Sequence, residues 1–332
     1  MTCRCTDIHT HVVPENFPAY AGQATNIPWP SMAPAHACHR HVVISGKNYR
    51  TVHEGSWSAG RRLADMAEMQ VGCQALSPMP ELLSYWLPLP DAQRLLRFIN
   101  ESIAAIAQAS PQSFVGLGGV PLQDVQAAID ELRHLVEVLG FKGVELASHV
   151  NGRSIGDPMF APFFEYAESV GASIFVHALR PAGADRVVGA FPEQAVCFPG
   201  DIALAAASLI TGGIAARHPR LRIAFSHGGG AMPILLPRLD HAWRALPESH
   251  ESMPEAPSAI ARRFYYDALL FDPRAIQFLK DTMGLSQIVV GSDYPFAMGD
   301  PQPVQTLRSA GLTDAEIEAV CHDNARRFLG ME

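Results

Sequence analysis

Short apolar runs rich in Val, Ile and Phe recur along the chain, and between them apolar residues return every three or four positions. The runs are CRCTDIHTH, GCQALSPM, FVGLGGVPL, KGVELAS, SIFVHAL, RIAFSH, FYYDALL and QIVVGSD. Their length and β-branched content fit strands, whereas the intervening period of 3.6 fits amphipathic helices. Two of those helices, in DVQAAIDELRHLVEVLG and MFAPFFEYAESVG, run up to a glycine, the residue that most readily closes a helix C-terminus. Phe160, Phe163 and Phe164 in the second read as core. Strands that are apolar throughout are covered on both faces, as in a parallel sheet. Eight of them alternating with helices predict an α/β fold closed as a (β/α)8 TIM barrel.

One stretch breaks the alternation. Residues from about 12 to 60 are rich in Pro, Gly and His and include ISGKNYRTVHEGSW. They predict a small insertion after strand 1, carrying an antiparallel hairpin, on the face where barrel enzymes build their active sites. Residues 1–332 are otherwise expected to form one domain. A content of 48% hydrophobic and 17% charged residues describes a globular chain with a large core. The net charge of −8, without a basic run, argues against nucleic acid as a partner. Six scattered cysteines without a signal peptide fit reduced thiols in the cytoplasm. No unbroken apolar run approaches the roughly 18 residues of a membrane span, so no membrane association is expected.

The ends of the strands carry the chemistry. His9 and His11 lie two residues apart and project from the same face of a strand. Alone, such a pair fits a metal site or two solvated strand-end histidines. Strand five ends in His177, strand six in His227 and strand eight in Asp293. The C-terminal ends of barrel strands converge on one cleft, and imidazoles with a carboxylate suit a divalent transition metal. His227 stands in HGGG, where missing side chains open space beside the ring. It is read as an acid/base beside the metal rather than as a further ligand. A second metal held by a modified lysine on strand four is not expected, because Lys142 lies at the start of that strand; Glu145 makes a weak case. One ion is therefore expected.

Other clusters carry less. HACHRH brings His36, Cys38, His39 and His41 into the insertion, but no second Cys/His pair follows at zinc-site spacing, and a flexible solvated loop is expected. Arg50 in the insertion, Arg180 and Arg186 after His177, and Arg238 after strand six are candidate substrate clamps. Arginine holds carboxylates bidentately, so a small carboxylic acid is the expected substrate; a surface salt bridge is the alternative for each.

The motifs DIHTH, FVHA, FSHGGG and GSDYPF together resemble the amidohydrolase superfamily. RRLADMAEMQVGCQALSP, GGVPLQD, RLDHAW and NARRFLG extend the resemblance along nearly the whole chain, to the branch of metal-dependent decarboxylases acting on aminocarboxymuconate-semialdehyde-type acids. The resemblance implies a mononuclear zinc barrel, with His9, His11, His177 and Asp293 as ligands and His227 as catalytic acid/base. It further implies that Arg50 binds a substrate carboxylate and that Arg238 reaches into the neighbouring subunit's site of a homodimer. ALRPAGADRVVGA departs from the branch by lacking its tryptophans and gaining Arg180 and Arg186, which leaves the substrate open.

The expected activity is non-oxidative decarboxylation of a small unsaturated or aromatic carboxylic acid, with His227 and Asp293 catalytic. Hydrolysis of a lactone or related ester, or hydration, would use the same ligand set, and a catalytically dead barrel would be a binding module. The donor types accept zinc or manganese.

Overall fold

The computed structural model describes residues 5–189 and 192–331. Eight parallel strands form one sheet: β1 (Cys5–Val12), β5 (Val71–Pro78), β6 (Phe114–Gly119), β7 (Gly143–Ala147), β10 (Ser173–His177), β11 (Arg222–Phe225), β12 (Tyr265–Asp267) and β13 (Ile288–Val289), neighbouring one another in that order. The last two are short, yet the sheet closes. Ile8 N donates to Val290 O at 2.9 Å, His11 N to Tyr294 O at 2.7 Å, and Asp293 N to His9 O at 2.9 Å. The result is a (β/α)8 TIM barrel, its strands matching the eight apolar runs of the sequence.

The helices follow their patterns. In Val125–Glu137, Asp124 caps the start by accepting from Ala127 N at 2.9 Å, and Ala128, Leu132 and Leu135 bury one stripe. Ala161–Ser169 buries Phe163 and Phe164, and the chain leaves it through Gly171 at φ +64°, a conformation that side-chain-bearing residues resist. Phe160 is buried as well. Inside the barrel, Ile8, Ala75, Leu117, Phe175, Ala224 and Val289 cluster with Phe328 and Leu329 of the C-terminal helix Asn324–Leu329. Ser173 Oγ and Arg222 Nε, at the starts of β10 and β11, both donate to Phe328 O. That end of the barrel is plugged, and the opposite end is left for a site.

Over the open end lies β2 (Ser31–Pro34), β3 (His39–Ile44) and β4 (Lys47–His53), a three-stranded antiparallel sheet where the sequence pointed to a two-stranded hairpin. A two-strand ribbon, β8 (His149–Val150) and β9 (Arg153–Ser154), follows β7. The helix Glu193–Thr211 is long and apolar enough to cross a membrane, although the sequence shows no unbroken run of that kind; Asp201 and Pro199 interrupt it. Here it packs against the barrel, burying Ile202, Ala206, Leu209 and Ile210. Cys38, Cys73 and Cys197 are free thiols; Cys3 lies outside the described residues.

Candidate metal centre and active site

Strand geometry assembles the centre. His9 and His11, on one face of β1, are completely buried, and His177 ends β10. Asp293 lies four residues beyond β13, carried inward by the bonds that close the barrel. One donor atom from each of His9, His11, His177 and Asp293 lies within 4.8 Å of the others, so the four could hold a metal ion. His9 Nε2 and His11 Nε2 are 3.1 Å apart, and Asp293 Oδ1 is 3.4 Å and 3.1 Å from them.

The tautomers make this convergence informative. His9 Nδ1 meets Asp267 Oδ2 at 2.7 Å, His11 Nδ1 meets Pro78 O at 2.9 Å, and His177 Nδ1 meets Ala178 O at 2.8 Å. Each partner is an acceptor, so each Nδ1 carries a proton and Nε2 is the nitrogen turned inward, where a neutral ring offers its lone pair. His177 Nε2 is buried with no hydrogen-bond partner among the described residues. Three lone pairs and a carboxylate oxygen facing one point repel unless a cation lies between them. The donor set therefore fits a divalent ion.

The charges agree. Burial lowers His9, but its bonds to Asp267 and Asp293 outweigh this and raise it to about 10. Burial lowers His11, and burial with the neighbouring imidazoles holds His177 well below the usual histidine range. Burial opposes ionisation of Asp293, yet His11 and His9 keep it well below the usual carboxylate range. The place favours one positive charge, most strongly at His9.

Asp267 is a residue the sequence reading passed over, although an acid ending the apolar run FYYDALL was its available signal. Buried at the end of β12, it orients His9 through Oδ2 and accepts Gly228 N at 2.9 Å and Leu269 N at 3.2 Å through Oδ1. It thus ties the ligand strand to the HGGG turn. His227 follows β11 in that turn at φ +55°, its ring 5.1 Å from His177 and 5.4 Å from His9. A Cβ on Gly230 would lie 1.9 Å from Pro199 O, so only glycine lets the turn pack this closely. Burial, then the proximity of His9, pushes His227 down to about 4, leaving it a free base at neutral pH. Glu145 in β7 is buried, bonded by Ser77 Oγ and 3.6 Å from His11 Nδ1, and burial raises it to about 8. Lys142 precedes that strand, and its carbonyl accepts Ser173 N at the start of β10, the end opposite His177.

A cavity of about 520 Å³ opens onto His177, His227 and Asp293, with walls that include Phe198, Leu269, Phe271, Phe296 and Met298. Arg50 of β4 lines it, its guanidinium 4.1 Å from the Phe296 ring centroid, and Phe296 stacks in turn on His11 at 5.1 Å. Arg180 also lines it but is engaged: Nε and Nη2 donate to Glu81 Oε1, and the guanidinium lies 3.3 Å from the Trp86 ring centroid. Arg186 and Arg238 are exposed and do not line the cavity within this chain. The HACHRH segment differs from the flexible loop expected. His39 and His41 belong to β3, and His39 lines the cavity with its ring 4.1 Å from that of His36.

The amidohydrolase family pattern matches residues 6–331, and the chain belongs to that family. It is 33% identical to 2-amino-3-carboxymuconate-6-semialdehyde decarboxylase of Dictyostelium discoideum over 328 residues, 98% of this chain and 91% of that one. It superposes on 5-carboxyvanillate decarboxylase of Sphingomonas paucimobilis with a TM-score of 0.75 and 26% identity, covering 83% of this chain and 84% of that one. On the IDCase of Metarhizium anisopliae the TM-score is 0.83 at 20% identity, covering 98% of this chain and 97% of that one, which speaks to the fold. The decarboxylases among these relatives are carbon–carbon lyases built on an amidohydrolase barrel.

Proposed function

We propose that the protein is a metal-dependent non-oxidative decarboxylase of a small unsaturated or aromatic carboxylic acid, of the aminocarboxymuconate-semialdehyde type, with residues 1–332 as one catalytic domain. The observation that carries this reading is the convergence of three inward imidazole lone pairs and Asp293 beside His227, in a cavity that also presents Arg50. Whole-length similarity to a decarboxylase supports it.

His9, His11, His177 and Asp293 would hold one divalent ion, zinc in our reading with manganese the alternative. That ion would supply Lewis-acid polarisation and orientation of the acid. Arg50, which has no carboxylate partner among the described residues, would bind a substrate carboxylate. Arg180 would offer only Nη1, since Glu81 takes Nε and Nη2. His227, a free base at neutral pH, would relay with Asp293 a solvent proton to the carbon that bears the leaving carboxylate. That carbon becomes tetrahedral; its bond to the carboxylate then breaks, CO₂ departs, and the bonding electrons restore the π-system. One proton is taken up for each CO₂ released. Phe198, Leu269 and Phe271 would keep water from the carbon and favour departure of a neutral gas.

A homodimer in the cytoplasm completes the reading. Arg238 shares its helix, Met232–Ala245, with the exposed apolar Ile234 and Leu235, a composition suited to a partner surface through which Arg238 would reach the neighbouring site. The test is CO₂ release by the zinc-loaded protein on a panel of carboxymuconate-type and hydroxybenzoate acids. Release that stops with a chelator and returns with metal is expected. Silence toward every acid, together with turnover of lactones, would replace decarboxylation with hydrolysis.

A further inference from the structure

Arg62 is fully buried, and among the described residues no carboxylate pairs with it. Nε has no hydrogen-bond partner among the described residues, and the other donors go elsewhere. Nη2 donates to the carbonyl of His11, while Nη1 donates to Thr10 Oγ1 at 3.3 Å and Gln74 Oε1 at 3.0 Å. The guanidinium lies over the ring of Tyr294, 5.1 Å from its centroid. Three residues further along the same helix, Ala59–Met69, Asp65 accepts the Tyr294 hydroxyl at 2.7 Å. A single helix thus grips two of the three segments that present donors: β1 at His11, and the residue next to Asp293.

A buried guanidinium that no carboxylate touches is costly, Asp7 and Asp65 acting on it only from a distance, and a well-packed apolar side chain would fill the volume more cheaply. Burial lowers Arg62 only to about 10, so it stays charged at neutral pH. Its contacts use what arginine alone provides, a planar fork that bonds in two directions and a face that stacks on an aromatic ring. We propose that Arg62 is a positioning residue of the metal centre, its fork holding the His11 end of β1 against the Asp293–Tyr294 segment. In this role it sets the 3.1 Å approach of His11 Nε2 to Asp293 Oδ1. The inference rests on the metal reading given above.

The test uses Co²⁺, whose visible bands report ligand geometry, titrated into chelator-treated wild type, Arg62→Lys and Gln74→Leu. In Arg62→Lys the affinity should fall about tenfold or more, the loss typical when the partner of a ligand is removed, with altered bands. Gln74→Leu, which removes one of the two acceptors of Nη1, should lose less. A folded Arg62→Lys with wild-type affinity and bands would overturn the proposal, even if its melting temperature fell. Should Arg62→Lys not fold, Gln74→Leu decides, and unchanged cobalt binding there overturns it. Wild type that binds no cobalt would sink the metal reading itself.

Discussion

His227 and Asp293 sit side by side yet should fail differently when replaced. Asp293 brings charge to the donor cluster and stands at φ +60°, a backbone state that costs about 1–3 kcal/mol and persists where the surroundings impose it. Asp293→Ala removes the one anionic donor and should leave a protein that neither retains metal nor turns over. His227 meets the cavity without belonging to the four donors. His227→Gln should keep its metal while kcat falls about 10²- to 10⁴-fold, the usual worth of a positioned proton carrier. Metal content after gel filtration, measured beside kcat, separates the two roles. Full turnover in either variant would refute the assignment. The donors were legible because their residue types are rare at the ends of apolar strands. Arg62 was not, since a buried arginine declares itself only through what it touches, here the His11 carbonyl; Asp267 left one signal, an acid within an apolar run, but its role shows only in its bond to His9.

On the proposed reading, the element that couples recognition to chemistry is the three-stranded sheet over the open end of the barrel. It places Arg50 on Phe296, and Phe296 on His11, so an acid held by Arg50 rests one ring away from the metal centre. Arg50→Ala should raise KM about 10- to 100-fold, the worth of a hydrogen-bonded ion pair, with kcat changed far less. Arg180→Ala should act otherwise, because it leaves the buried Glu81 without its ion-pair partner. Its signature is a lower melting temperature with a smaller rise in KM. A larger KM effect from Arg180 than from Arg50 would reverse their roles. Sequence periodicity located every barrel strand, since burial on both faces leaves long apolar runs. It could not supply this sheet's third strand: Ser31–Pro34 is partly exposed, carries a proline, and is a strand only because His39–Ile44 pairs with it.

At the scale of the whole molecule, the converging donors call for a cation among them, and either a proton or a metal can serve. Without metal, the bonds to Asp267 and Asp293 raise His9 to about 10. A histidine raised in the folded state stabilises it fully below its unfolded value near 6.5 and loses that contribution as pH climbs through about 10. Metal-free protein should therefore weaken between those limits. The metal-loaded protein should not, because the ion replaces the proton. Binding must release that proton, so affinity should rise with pH up to about 10. At a hundredfold excess of metal over its Kd the stabilisation is about 2.7 kcal/mol, worth about 4 °C in a chain of this length. The gap in melting temperature between loaded and chelated protein should widen from pH 6.5 to 9. Calorimetric titration in buffers of different ionisation enthalpy should count close to one proton released per ion near neutrality. A gap that stays constant, with no proton released, would mean that the donors are already neutral and that the ion is held by geometry alone.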